Sequence, residues 1–239
     1  MTNSFEDKPK IIPEKLKPRS GLEILTSQEA EHIKDIFLNR IMRWHEEVKP
    51  NIIILTATSA TAYGYLIKRA WRVAFPDEEQ PIFMNIDLRH LRKISDNLAE
   101  NVLPAKKRIK ENDKILIFDE VGRDPESTLE NSNLKKVTDI NNIHGRVLLE
   151  AIRYLETIGI AKENLWVDDP SLEAKLYSIV KHGSHDGIVF RSPLKKDNKD
   201  LSKPSNKEHR EISQTFIADL EFIGQKIGEQ IRATAFKQD

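Results

Sequence analysis

Two acids, Asp119 and Glu120, follow directly on four apolar residues, Ile115 to Phe118, and a short loop then closes on paired hydroxyls at Ser127 and Thr128. An apolar run without alternation predicts a strand buried on both faces, as in a parallel sheet. Charges set immediately after such a strand fall at its carboxyl end, where open α/β sheets bind their ligands. Carboxylates accept hydrogen bonds and hydroxyls donate them, so the segment carries the groups of a polar ligand site. Alone, these acids would also read as solvated charges at a strand end, with Asp124-Pro125 a simple turn. The buried strand before them and the hydroxyls after them favour a site.

The elements that must position this segment can be read on either side of it. Thr26 and Glu29 form a capping box, and Ile33, Ile36, Phe37, Ile41, Trp44 and Val48 follow at helical spacing, predicting an amphipathic helix up to Pro50. Ile52 to Leu55 reads as a short buried strand, Thr56 to Thr61 as a small-residue loop, and Ala62 to Phe75 as a helix. Pro81 precedes a third apolar run, Ile82 to Ile86. Asp87 to Glu111 is charged and partly helical, broken at Pro104. A polar stretch from Glu130 to Asn142 leads to a helix over Ile143 to Ile158, with Gly159 as its stop. Leu165 to Val167 is a strand. Asp169-Pro170 supplies a cap and a first-turn proline for a helix ending at Lys181-His182-Gly183. Gly187 to Phe190 is the last strand candidate.

Alternating strands and helices predict an α/β fold with a mainly parallel central sheet flanked by helices. The expected organisation is an N-terminal arm (1–25), an α/β domain (26–193), a Lys-rich linker (194–208) and a long C-terminal helix (209–239). Ile212, Phe216, Leu220, Ile223, Ile227 and Ile231 form one stripe on that helix. Gly224 and Gly228 sit one turn apart on it, allowing close approach of another helix, either in a homodimer or in the chain's own core.

With 239 residues, 38% hydrophobic and 32% charged, the chain has the make-up of a globular protein with a well-solvated surface. Lys+Arg and Asp+Glu both count 38, giving no overall electrostatic footprint for nucleic acid. The absence of cysteine excludes disulfides, thiolate catalysis and Cys-ligated zinc. There is no apolar run of about 20 residues and no signal-peptide core, so no membrane partner is expected and a cytoplasmic location is.

The acidic strand end and its loop, Ile115 to Leu129, resemble the signature of type I phosphoribosyltransferases. The order of elements from Thr26 to Phe190 is similar to that family's as well. The resemblance implies a phosphoribosyltransferase-like fold and the transfer of ribose 5-phosphate from phosphoribosyl pyrophosphate to a nitrogenous base, releasing pyrophosphate. It would put Asp119 and Glu120 on the ribose hydroxyls, favouring an oxocarbenium-like transition state. Mg²⁺ would bridge those hydroxyls and the pyrophosphate, touching the two acids indirectly, through the hydroxyls or water. Asp124 would be the base for the incoming ring nitrogen, and Ser127 and Thr128 would hold the 5-phosphate. Thr56, Thr58 and Ser59 would lie in the pyrophosphate loop. The implied partner is a small phosphoribosyl donor or nucleotide.

The phosphate loop departs from the family pattern of Asp-Thr-Gly-any-Thr. With one inserted residue the chain offers Asp124-Pro125-Glu126-Ser127-Thr128. Pro125 deletes a backbone donor, and Glu126 adds a negative charge where phosphate should approach. A like charge about 4 Å from a phosphate costs about 4 kcal/mol at an effective dielectric near 20, close to about a thousandfold in affinity. Arg123 can offset part of this, because a guanidinium binds phosphate in bidentate fashion.

Two other readings follow from the same residues. A non-catalytic nucleotide-binding or regulatory protein on the same fold would explain Pro125 and Glu126. A haloacid-dehalogenase-like phosphatase would use Asp119 as nucleophile, but it needs a second aspartate where Val121 stands. Arg89, His90, Arg92 and Lys93 could lie on a flap over the site or on a solvated helix face. His182 and His185 lack a third metal ligand nearby and read as the basic end of a helix. His45-Glu46-Glu47 lacks the second histidine of a zincin helix.

Overall fold

The computed structural model describes residues 21–86, 109–119, 134–138, 143, 146–168, 178–181, 188–191 and 206–235. The first helix, α1 (Ser27–Arg43), starts as its residues dictate: the Thr26 hydroxyl accepts from the Glu29 amide at 3.2 Å, and the Glu29 carboxylate accepts from the Thr26 amide at 2.7 Å. Its buried face carries Ile33, Ile36, Phe37 and Ile41. The helix widens into a π-helical turn, Trp44–Val48, and stops at Lys49, whose φ of 51° is left-handed and whose amide donates to Trp44 O at 2.9 Å. Pro50 follows.

Strands β1 (Ile52–Thr56), β2 (Ile82–Ile86), β3 (Ile115–Phe118) and β5 (Leu165–Asp168) are parallel, and the short β4 (Lys135–Lys136) pairs antiparallel with β5. The order across the sheet is β2-β1-β3-β5-β4. Side chains alternate between faces along a strand, and both faces are covered, which explains the continuous apolar runs. Ile53, Leu55, Leu116 and Phe118 join one core with α1, α2 (Ala57–Ala74) and α4 (Asn206–Ala235). Ile52, Ile54, Ile115, Ile117, Leu165 and Val167 join a second core beneath α3 (Arg146–Thr157). The chain leaves α3 by a Schellman turn: Gly159 takes φ +90°, its amide donates to Glu156 O, and Ile160's amide donates to Leu155 O, both at 3.0 Å. Among the described residues no helix is long and apolar enough to cross a membrane.

The structure differs from the sequence expectations at several points. The stretch expected as a loop, Thr56 to Thr61, is the end of β1 and the first turn of α2, which starts at Ala57 rather than Ala62. Three alanines at 57, 60 and 62 give the segment the strongest helix former, and its hydroxyl residues are at home in a first turn. The helix expected to end at Lys181 is instead a strand there: β6 (Ser178–Lys181) pairs antiparallel with β7 (Ile188–Arg191) in a separate two-stranded sheet. The β-branched Ile179 and Val180 face Phe190 and Val189 in the ladder, and such residues suit a pleated surface.

The expected N-terminal arm ends inside the core. Leu25 is buried, with Leu22 and Ile24 packed beside it. The fully buried Asp219 carboxylate of α4 accepts from the amides of Glu23, Ile24 and Leu25 at 2.8–3.2 Å. A buried carboxylate needs such donors, so the two distant segments are tied together. The C-terminal helix is likewise part of the core: Phe216, Leu220, Ile223, Ile227 and Ile231 are buried. The side chain of Ile212 lies outside the described residues. Gly224 and Gly228 give their close approach to α2 of the same chain. A Cβ on Gly224 would collide with the Leu66 carbonyl oxygen, and one on Gly228 would lie 2.7 Å from that of Ala70.

Candidate functional site

Strand β1 continues through α2 to β2 on one side, whereas β3 continues through α3 to β5 on the other. Because α2 and α3 cover opposite faces, the winding reverses between β1 and β3. In open α/β sheets the carboxyl ends of the two strands beside such a reversal are the usual ligand position. Thr56 ends β1 and Asp119 follows β3, so both residues stand at the switch point.

Thr56 is fully buried, and its hydroxyl donates across the sheet to Phe118 O at 3.2 Å. It also occupies the N-cap position of α2 but makes no side-chain cap hydrogen bond. Thr58 and Ser59 occupy the second and third positions of the helix, whose amides are among those a helix leaves unsatisfied. Asp119 is 3% exposed, and its amide donates to Asp168 O at 3.2 Å, extending the β3–β5 ladder one step past the last paired residues. Of the residues singled out in the sequence, Thr56, Thr58, Ser59 and Asp119 thus gather at one end of the sheet. Glu120, Arg123, Asp124, Ser127 and Thr128 lie outside the described residues, as do Arg89, His90, Arg92, Lys93, His182 and His185.

A second polar group at this end of the sheet was not expected from the sequence. Asp168, the last residue of β5, is fully buried. Its carboxylate accepts from Arg40 Nη1 and from Trp44 Nε1, each at 2.5 Å. Arg40 is 2% exposed and stands on the buried face of α1, and Trp44 follows one turn later. Burial pushes the Asp168 carboxyl up from its ordinary range, while the Arg40 charge and the hydrogen bonds from Trp44 and Arg40 pull it back. Among the described residues Arg40 Nη2 is buried without a hydrogen-bond partner, a cost of about 1–3 kcal/mol or more for a charged group. The signal was present: Arg40 interrupts the apolar stripe between Phe37 and Trp44, and Asp168 ends an apolar strand just as Asp119 does.

His45 packs and pairs within the chain. Its ring stacks on Phe75 with centroids 3.7 Å apart, and Nε2 lies 2.8 and 2.9 Å from the Glu78 oxygens. Set against protein-family models, curated proteins and solved structures, the chain matches none of them.

Proposed function

We infer that the chain is a phosphoribosyltransferase-like protein that moves ribose 5-phosphate from phosphoribosyl pyrophosphate to a nitrogenous base. The observation that carries this reading is the position of Asp119, at the carboxyl end of a buried parallel strand, beside the switch point and the first turn of α2. In this reading Asp119 and Glu120 accept hydrogen bonds from the ribose hydroxyls and stabilise positive charge developing at the anomeric carbon. Asp124 takes the proton of the incoming ring nitrogen. Arg123, Ser127 and Thr128 hold the 5-phosphate, and the first-turn amides of α2, with Thr58 and Ser59, hold the pyrophosphate. Thr56 supports that turn through Phe118 O. Asp119 and Glu120 would hold Mg²⁺ indirectly, through ribose hydroxyls or water, beside substrate phosphates. The ion supplies neutralisation of the leaving pyrophosphate.

A second reading, a non-catalytic protein that binds a nucleotide for regulation, is favoured by Pro125 and Glu126 in the phosphate loop. Thermal unfolding with and without phosphoribosyl pyrophosphate and Mg²⁺ tests the first reading. Ligand at 100 times its dissociation constant adds about 2.7 kcal/mol, a melting shift of roughly 5–10 °C for a chain of this size. No shift at millimolar donor rejects donor use. If the donor binds, pyrophosphate release with a panel of bases distinguishes an enzyme from a sensor.

A further inference from the structure

We propose that Arg40, Trp44 and Asp168 are positioning residues, a clamp between α1 and β5 that sets the backbone from which Asp119 projects. The clamp acts on the site assigned above and to that extent rests on the phosphoribosyltransferase reading. Its geometry joins the two acids through the main chain. Asp168 is held by its side chain, both carboxylate oxygens taking short hydrogen bonds from α1 and the turn that follows it. Its main-chain oxygen meanwhile accepts the Asp119 amide. The Trp44 ring also meets Phe118, the residue just before Asp119, edge-on with centroids 5.7 Å apart. Trp44 therefore touches the ends of both strands.

Stability is a poor explanation for this arrangement. Apolar residues of similar volume often hold a core as well as a buried ion pair does, because the pair first has to be desolvated. What an apolar patch lacks is direction. A guanidinium and an indole N–H, each aimed at one carboxylate oxygen, admit a single orientation of the Asp168 side chain. Through the β3–β5 ladder that orientation passes to the amide of Asp119, at the switch point.

The test compares the full-length wild type with Asp168→Asn and Trp44→Phe, using amide hydrogen exchange resolved by residue. The amides of Ile53 and Leu55 in β1 report global opening. The clamp predicts that the Asp119 amide exchanges at least tenfold faster in either variant, beyond any change at Ile53 and Leu55. Trp44→Phe keeps an aromatic ring against Phe118 and removes the N–H donor along with part of the indole's volume, a packing loss that the β1 amides register, so it decides the matter if Asp168→Asn fails to fold. Asp119 exchange that rises only in step with β1 would overturn the proposal and leave a purely structural ion pair. The same proteins are then melted with phosphoribosyl pyrophosphate and Mg²⁺. A wild type that shifts beside variants that shift by less than half as much supports the clamp at the site. A wild type that does not shift rejects the donor reading, and the exchange data still decide the clamp.

Discussion

Strands β3 and β5 lie side by side, and each runs from a buried apolar segment into an aspartate, yet the two acids are placed differently. Asp168 pairs with Phe118 in the ladder and shares the sheet face covered by α1, so both its oxygens are taken by Arg40 and Trp44. Asp119 stands one residue further along, where the alternation of a strand reverses direction, and it adjoins β1 and the first turn of α2 at the switch point. An acid after an apolar strand is therefore not in itself a mark of chemistry. Position relative to the winding of the sheet, and the direction its side chain takes from the strand, decide what such an acid can reach: Asp168 turns to Arg40 and Trp44, whereas Asp119 stands at the switch point.

The change that breaks this contrast most forcefully is Arg40→Met. Removing one member of a buried pair leaves the other charge uncompensated, at a cost of about 3–5 kcal/mol, read from urea unfolding at neutral pH. The pH dependence follows from Asp168. Burial already holds its carboxyl above the ordinary range, and without Arg40 it rises further. As pH increases from the ordinary aspartate value, the unfolded chain gives up its proton first. Stability then falls until the folded carboxyl ionises as well. The deficit is therefore largest at neutral pH and shrinks on acidification. The double variant Arg40→Met with Asp168→Leu should recover most of the loss. A double variant as unstable as the single one would show that the pair is retained for stability, contrary to its assignment as a clamp.

A smaller effect separates the other side of the comparison. In Gly224→Ala the new methyl meets the main-chain carbonyl of Leu66 in α2, an obstacle that cannot swing aside as a side chain would. Overpacking of this kind costs about 1–3 kcal/mol. It displaces α2, the helix whose first turn borders Asp119, and leaves the contacts of Asp168 in place. The Trp44 indole resonance, a reporter of the clamp, should keep its chemical shift while the melting temperature falls. A shifted indole signal would mean that the two sides of the sheet end are mechanically coupled.

The parts of this architecture that were legible in the sequence are those set by nearby residues. Thr26 and Glu29 announce a helix start three residues apart, Gly159 announces a helix end, and Ile52 to Leu55, Ile115 to Phe118 and Leu165 to Val167 announce buried strands by composition alone. What stayed hidden depends on distant partners. Ser178 to Lys181 is a strand because of its ladder with Ile188 to Arg191, and Glu23 to Leu25 are core because of a carboxylate at Asp219, far along the chain. Arg40 is the instructive omission. It holds a position on α1 where the helical period calls for an apolar residue, and only an acid buried on another element makes a cation sensible there. The end of β3 was found because its acids are adjacent and followed by hydroxyls. The end of β5 has the same apolar lead-in, but Asp168 is followed by Asp169-Pro170, which reads as the cap and first turn of a helix and draws the eye past it.

Asp119→Asn should have the smallest effect on the fold and the largest on ligand. The amide side chain is nearly isosteric with the carboxylate, and the main-chain bond to Asp168 O does not depend on it. Stability by urea unfolding should therefore fall by no more than about 1 kcal/mol, the centre of the range for single substitutions. The melting shift with phosphoribosyl pyrophosphate and Mg²⁺ should disappear, because a neutral amide cannot offset positive charge at the ribose and accepts fewer hydrogen bonds than a carboxylate. The opposite pattern, several kcal/mol of lost stability with ligand binding kept, would make Asp119 a second structural acid like Asp168. The contrast between the strand ends would then collapse, and the site would have to be sought among Asp124, Ser127 and Thr128 alone.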